Sequence, residues 1–181
     1  MPQRPRRPRR LRATLALLTL TLAVLATGCA TTVPASDTTP PDVRLTVIGA
    51  GNTFTLTPTS ADASRTVTAG PKVTLFAAAI DEQGVKNVVI AGEIRVNCAS
   101  GDLGQASFVS YQANNPEDPS VGIGDEASDR RLTTLELDTG GFAGYCRSGF
   151  TFTGASGSFR AHGENFHGGT NDSAAFSLTV P

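Results

Sequence analysis

Residues 70–88 read GPKVTLFAAAIDEQGVKNV, and they decide the fold class. Val73, Leu75, Ala77 and Ala79 alternate with Lys72, Thr74, Phe76 and Ala78. Successive side chains leave a strand on opposite sides, so a period of two marks a strand with one buried face. Asp81-Glu82-Gln83-Gly84 then supplies turn chemistry, and a second β-branched run begins at Val85. Outward from this unit the same grammar repeats. Short β-branched and aromatic runs are separated by Gly, Asn, Asp and Pro clusters, and no long stretch has a helical period. Strands are expected at residues 43–48, 53–57, 65–68, 72–80, 85–96, 106–112, 131–137, 149–153, 158–165 and 174–180. Ten short strands with frequent turns predict an all-β sandwich or barrel.

The chain of 181 residues begins differently. Arg4, Arg6, Arg7, Arg9, Arg10 and Arg12 form a basic head without acids, an apolar run follows from Ala13 to Ala26, and Thr27-Gly28-Cys29 closes it. A basic head, an apolar run and a small-residue cut site together read as a secretory signal peptide. The run is short for a spanning helix, which needs about 20 apolar residues. Residues 30–42 are Thr, Pro, Ser and Ala with almost no large apolar side chain, and are expected to be a flexible tether. Fully extended, it would reach roughly 40 Å at about 3.3 Å per residue. The expected organisation is therefore a signal at 1–28, Cys29 with its tether at 29–42, and one domain at 43–181.

Leu25-Ala26-Thr27-Gly28-Cys29 resembles the lipobox of bacterial lipoproteins, with Ala26 where that family prefers Leu. The resemblance implies a diacylglyceryl group on the Cys29 thiol, cleavage before it, and attachment to a membrane without a spanning helix. Ala30, rather than Asp, follows the cysteine, which in that family leans toward the outer membrane where the cell has one.

Two stretches of the exported part resemble immunoglobulin-like domains. Residues 155–165 with Gly168 are similar to the sixth strand of that fold: Gly157 and Asn165 match, Phe159 stands for the corner tyrosine and Ala161 for the cysteine. Residues 73–85 resemble the second strand and its turn, with Ala77 at the other cysteine position. The resemblance implies an immunoglobulin-like β-sandwich. Neither member of the usual inter-sheet disulfide is present, and the chain contains no tryptophan to pack on one.

Three cysteines bound the covalent chemistry. With Cys29 at the cut site, Cys98 and Cys146 remain outside the cytosol and read as one disulfide, the alternative being two buried thiols. Zinc would need more ligands than these and two distant histidines supply. Of the fifteen basic residues six lie in the head, leaving nine against sixteen acids, a net charge near −7 for the exported part. That argues against a nucleic-acid partner, whose affinity comes from Lys and Arg on phosphates.

The densest acidic cluster is Glu117, Asp118, Asp125, Glu126 and Asp129, a weak calcium candidate because its spacing matches no helix–loop–helix site. It falls within residues 112–130, the longest stretch read as loop, and the candidate binding segment, expected to be dispensable for folding. His162 and His167 flank Glu164, where a metal site would need convergent geometry. No Gly-x-Ser-x-Gly, phosphate loop or dinucleotide fingerprint is present. The expectation is a non-enzymatic lipoprotein without cofactor, held on the cell envelope through Cys29 and binding an envelope protein or glycan. The alternatives are a purely structural spacer or a small hydrolase.

Overall fold

A computed structural model describes residues 29–181; the basic head and apolar run of the expected signal peptide lie outside the described residues. The strands are β1 Ala30–Thr32, β2 Asp42–Ile48, β3 Phe54–Leu56, β4 Ala63–Thr66, β5 Lys72–Ile80, β6 Val85–Ser100, β7 Leu103–Pro116, β8 Glu126–Ser128, β9 Arg130–Asp138, β10 Thr151–Asn165, β11 Thr170–Asp172 and β12 Phe176–Val180. One 3-10 helix, Thr139–Tyr145, joins β9 to β10. A four-stranded sheet runs β3-β2-β5-β9; a six-stranded sheet runs β4-β12-β10-β6-β7, with β11 also paired on β10; β1 pairs β8. All pairings are antiparallel except β4 with β12. The fold is an all-β sandwich.

The alternation that predicted β5 is realised residue for residue. Val73, Leu75, Ala77 and Ala79 are fully buried, while Thr74, Phe76 and Ala78 are half-covered on the other face. Val43, Leu45 and Val47 of β2 join them, and Ile90, Ile94, Phe159, Ala161, Phe176 and Leu178 fill the core from the six-stranded sheet. Each fully buried large apolar side chain contributes about 1.5–3 kcal/mol. Phe159, at the corner-tyrosine position, packs its ring over Gly92 of β6 and meets Tyr111 of β7 edge-on at 6.2 Å. Any side chain at Gly92 would strike that ring at 2.3 Å.

Several boundaries differ from expectation, each for a tertiary reason. Residues 149–153 and 158–165, read as two strands around a Gly-Ser turn, give way to one strand, β10, which begins at Thr151, runs through the expected turn and has a bulge at Phe152/Gly154. Gly157 is there for space: a Cβ would lie 2.3 Å from the Glu93 carbonyl oxygen. β6 and β7 extend beyond 96 and 112 and pair over fourteen residues without a register shift. The Ser, Asn, Gln and Ala of β7 have modest strand preference, but a continuous ladder to β6 overrides it. Residues 112–130 are therefore not one loop: β7 runs to Pro116, β8 occupies 126–128, and only 117–125 and Asp129 lack strand structure.

Residues 30–42 are also not free. β1 pairs β8, Val33 is buried, and the Val33 N–H donates to the Asp125 carbonyl while Val33 accepts from Gly124, both at 2.9 Å. The segment is docked by the β8 edge, by burial of its one valine and by side chains of the β10–β11 region that bond Pro34, Asp37, Thr39 and Pro41.

Cys98, near the end of β6, is bonded to Cys146, the C-cap of the 3-10 helix. This is the expected disulfide. It fastens the point where the chain leaves the four-stranded sheet after β9 and enters the six-stranded one at β10. Thr139 holds the same crossover by donating its hydroxyl to the Pro71 carbonyl at 2.6 Å and accepting from the Gly70 N–H at 3.1 Å. The bridge closes a loop of 48 residues, so chain entropy sets its stabilisation at about 4 kcal/mol. The double variant Cys98→Ala/Cys146→Ala should unfold at lower denaturant by up to that amount. An unchanged urea midpoint would show that the crossover is held without it.

Candidate functional site

The polar chemistry of the molecule gathers at one end of the sandwich, where four segments meet. They are the β5–β6 turn, the β10–β11 turn, the 117–125 loop and the N-terminal segment. The β5–β6 turn is built by Asp81, whose Oδ1 accepts from the Gln83 N–H at 2.9 Å and whose carbonyl accepts from Gly84 at 3.1 Å. This is the Asx turn expected of Asp followed three residues later by Gly. In the β10–β11 turn the Asn165 side-chain oxygen accepts from the N–H groups of His167 and Gly169, at 3.1 and 2.7 Å. Its amide donates to Asp37 Oδ2 at 2.7 Å and to the Thr39 carbonyl at 2.9 Å. Fully buried Asn165 thereby ties the N-terminal segment to the end of β10. His167 Nε2 donates to the Pro34 carbonyl at 3.0 Å, and Asn171 donates to that of Pro41 at 3.2 Å.

The loop is anchored by Arg131. Its Nε donates to the Val85 carbonyl at 3.1 Å and one terminal nitrogen donates to the Pro116 carbonyl at 2.9 Å. The other terminal nitrogen pairs with Glu117, and the two side chains are only 15% and 11% exposed. Burial lowers the Arg131 pKa, but a guanidinium starts so far above neutral pH that it stays charged. A charged pair this shielded from water holds only while both members remain. Arg131 went unnoticed in the sequence; the one available signal was an arginine on strand β9 soon after the densest acidic segment.

Between these anchors lies an open cleft of about 420 Å3, lined by Lys86, Asn87, Glu117, Ile123 and Phe166 among others. Ile123 is 65% exposed at its rim. Lys86 Nζ and Asn87 Nδ2 donate to the two carboxylate oxygens of Glu164, each at 2.8 Å. The Lys86 hydrogen bond is the main cause of a lowered Glu164 pKa, so the carboxylate is charged at neutral pH. The cleft thus offers an apolar rim beside a cation that is already partnered, which suits a mixed apolar and polar surface.

The predicted calcium acids are spent separately. Glu117 pairs with Arg131, Asp118 accepts from the N–H and hydroxyl of Ser120, and Asp125 accepts from the Gly122 N–H. Glu126 is exposed on β8, and Asp129 lends its carbonyl to the Asp81 N–H. Among the described residues no group of three or more His, Cys, Asp or Glu side chains stands where it could hold a metal ion. His162 bonds Asp172 through Nδ1 at 2.8 Å, so His162, Glu164 and His167 each face a different partner. No hydroxyl or thiol hydrogen-bonds to either histidine ring among the described residues.

Two predictions follow from these anchors. Arg131→Met strands a buried Glu117 carboxylate and should cost about 3–5 kcal/mol in urea unfolding. Adding Glu117→Gln should recover a large part of that loss, and failure to recover any would show that the pair does not act as one unit. For the same reason 116–128 is not dispensable, since its removal takes Glu117 and β8 together. The second concerns Asp81, whose Oδ2 is buried without a hydrogen-bond partner. Burial is the largest cause of its raised pKa, opposed by the Gln83 hydrogen bond and reinforced by the charge of Asp37. A carboxyl with a raised folded-state pKa destabilises the fold while charged. The penalty is full above that pKa, falls as pH drops through it, and is gone below the ordinary value of 3.8. Asp81→Asn keeps the turn acceptor and should therefore be the more stable form at pH 7, with its advantage vanishing by about pH 4. An equal or larger advantage at low pH would refute the assignment.

The chain matches no known protein family and no curated protein, so the chemistry of this end rests on its own geometry.

Proposed function

We propose that this chain is a bacterial lipoprotein, acylated at Cys29, whose immunoglobulin-like sandwich acts as a non-catalytic binding module close to the membrane surface. The state of the cysteines carries the reading. Cys98 and Cys146 are bonded to each other, whereas Cys29 is free, exposed and at the start of the domain, where an acyl group has room. The lipobox resemblance of residues 25–29 supplies the chemistry, and two or more acyl chains suffice for stable anchoring.

The strand order supports the immunoglobulin-like part. In that fold the second and sixth strands lie in opposite sheets. Here the two resembling stretches fall on β5 and β10, one in each sheet. The engagement of both histidines in local contacts supports a binding role over hydrolysis.

Docking of residues 30–42 changes how the module sits. From Cys29 to Val33 the chain spans at most about 14 Å, and Val33 is bonded to the 117–125 loop. A lipid on Cys29 therefore holds the cleft beside the bilayer, rather than at the end of a long tether. The partner class that fits is a protein or glycan of the envelope lying close to the membrane, on the outer membrane where the cell has one.

Metabolic labelling with a clickable fatty acid tests the anchor: the parent should carry label and fractionate with membranes, and Cys29→Ser should lose both. Label equal in the two forms would overturn the reading. In a pulldown from solubilised membranes, Ile123→Asp in the mature protein should reduce capture of whatever the parent retains; undiminished capture would move the binding surface off the cleft.

A further inference from the structure

The two sheets have five outer strands, and four of them are blunted against pairing with another chain. β3 and β11 have three residues each and β4 has four, with Asp172 on β11 and Arg65 on β4. β9 carries Arg130, Arg131, Glu136 and Asp138 in nine residues. Short length and charge are the usual protection of a sheet edge. β7 has neither. It is fourteen residues long, contains no charged side chain, and keeps an unbroken register with β6, so no bulge twists its edge away. Among the described residues β6 is its only strand partner, and no further backbone-to-backbone hydrogen bond reaches its other edge. Its solvent-facing side chains are Gly104, Ala106, Phe108, Ser110, Gln112 and Asn114, all exposed, with Phe108 63% exposed.

We propose that β7 is a dimerisation edge, pairing antiparallel with β7 of a second copy of this chain to join two six-stranded sheets into one. A second copy is the occupant because the edge is complementary to itself. Two copies of one strand related by a two-fold axis perpendicular to them are antiparallel and equal in length, so each presents the same patch to the other. Without charges, no like-charged pair falls opposite in any register; on β9 a self-pairing would oppose like charges, which destabilises a ladder. At about 3.4 Å per residue the joined edge would be some 45 Å long, and the exposed Phe108 rings would be covered on one continuous face. Of β7 only its last residue, Pro116, lines the cleft at the 117–125 loop, so pairing along residues 104–114 and partner binding would not compete for the same side chains. The inference does not depend on acylation of Cys29.

The test uses the mature protein purified in detergent, with micelles in large excess so that two chains share a micelle only by pairing. Sedimentation velocity should give a dimer for the parent. Phe108→Lys/Ser110→Lys places like charges on both strands of the joined face and should give a monomer, with circular dichroism unchanged because both positions are exposed. Single cysteines at Ala106, Phe108, Ser110 and Gln112, treated with a short bismaleimide, should yield cross-linked dimer in at least one case, without relying on added charge. A parent that stays monomeric at every loading and cross-links at none of the four positions would overturn the proposal, as would a lysine variant as dimeric as the parent. The first outcome would leave the edge to a strand of a different protein.

Discussion

The two sheets can lie against each other only because their centre is built from residues with little or no side chain. Gly163 of β10 faces Val43 and Ala79 so closely that a Cβ would stand 2.7 Å from one methyl and 2.9 Å from the other. Ala77 and Ala161, fully buried, continue this strip. A larger residue at Gly163 would wedge the sheets apart, and overpacking of a filled core costs about 1–3 kcal/mol. Around the strip the larger groups, Phe159, Phe176, Leu45 and Leu75, fill what the small residues leave. In antibody domains a disulfide and a tryptophan occupy the centre between the sheets; here close contact between small side chains takes that place.

With the centre held by packing, covalent and ionic bonds secure the margins. The Cys98–Cys146 bridge and Thr139 hold the crossover after β9. Arg131 with Glu117 holds the opposite margin, where the end of β7 approaches β9 and the loop departs. Both fasten places where the chain passes between the sheets and few ladder hydrogen bonds are available. The contrast in chemistry has functional content: the bridge rigidifies a crossover, while the ion pair supports a loop that shapes a cleft.

Asn165 and Val33 convert the N-terminal segment from a leash into a strap. Asn165 satisfies its own turn with its oxygen and uses its amide on Asp37 and the Thr39 carbonyl. Orientation follows from this: Cys29 and the cleft lie on the same end, and the long β7 edge runs away from it along the flank.

The sequence by itself determined the all-β class, the span of β5 and the turn at Asp81 to Gly84, and it left Cys98 and Cys146 as the candidate pair that the structure joins. The first three are local, since a period of two can bury one face only as a strand. Only the tertiary structure decided that β10 is continuous, since Gly154 and Gly157 spell a turn locally but answer to Val180 and Glu93 on neighbouring strands. It also decided that a polar uncharged run would become a fourteen-residue edge strand, that a Thr- and Pro-rich tether would dock, and that the acids of 117–129 would take separate partners. The physical reason is common to all of these. Ladder hydrogen bonds, close backbone approach and buried ion pairs are made between residues far apart in the chain, and local composition carries no record of who the partner is.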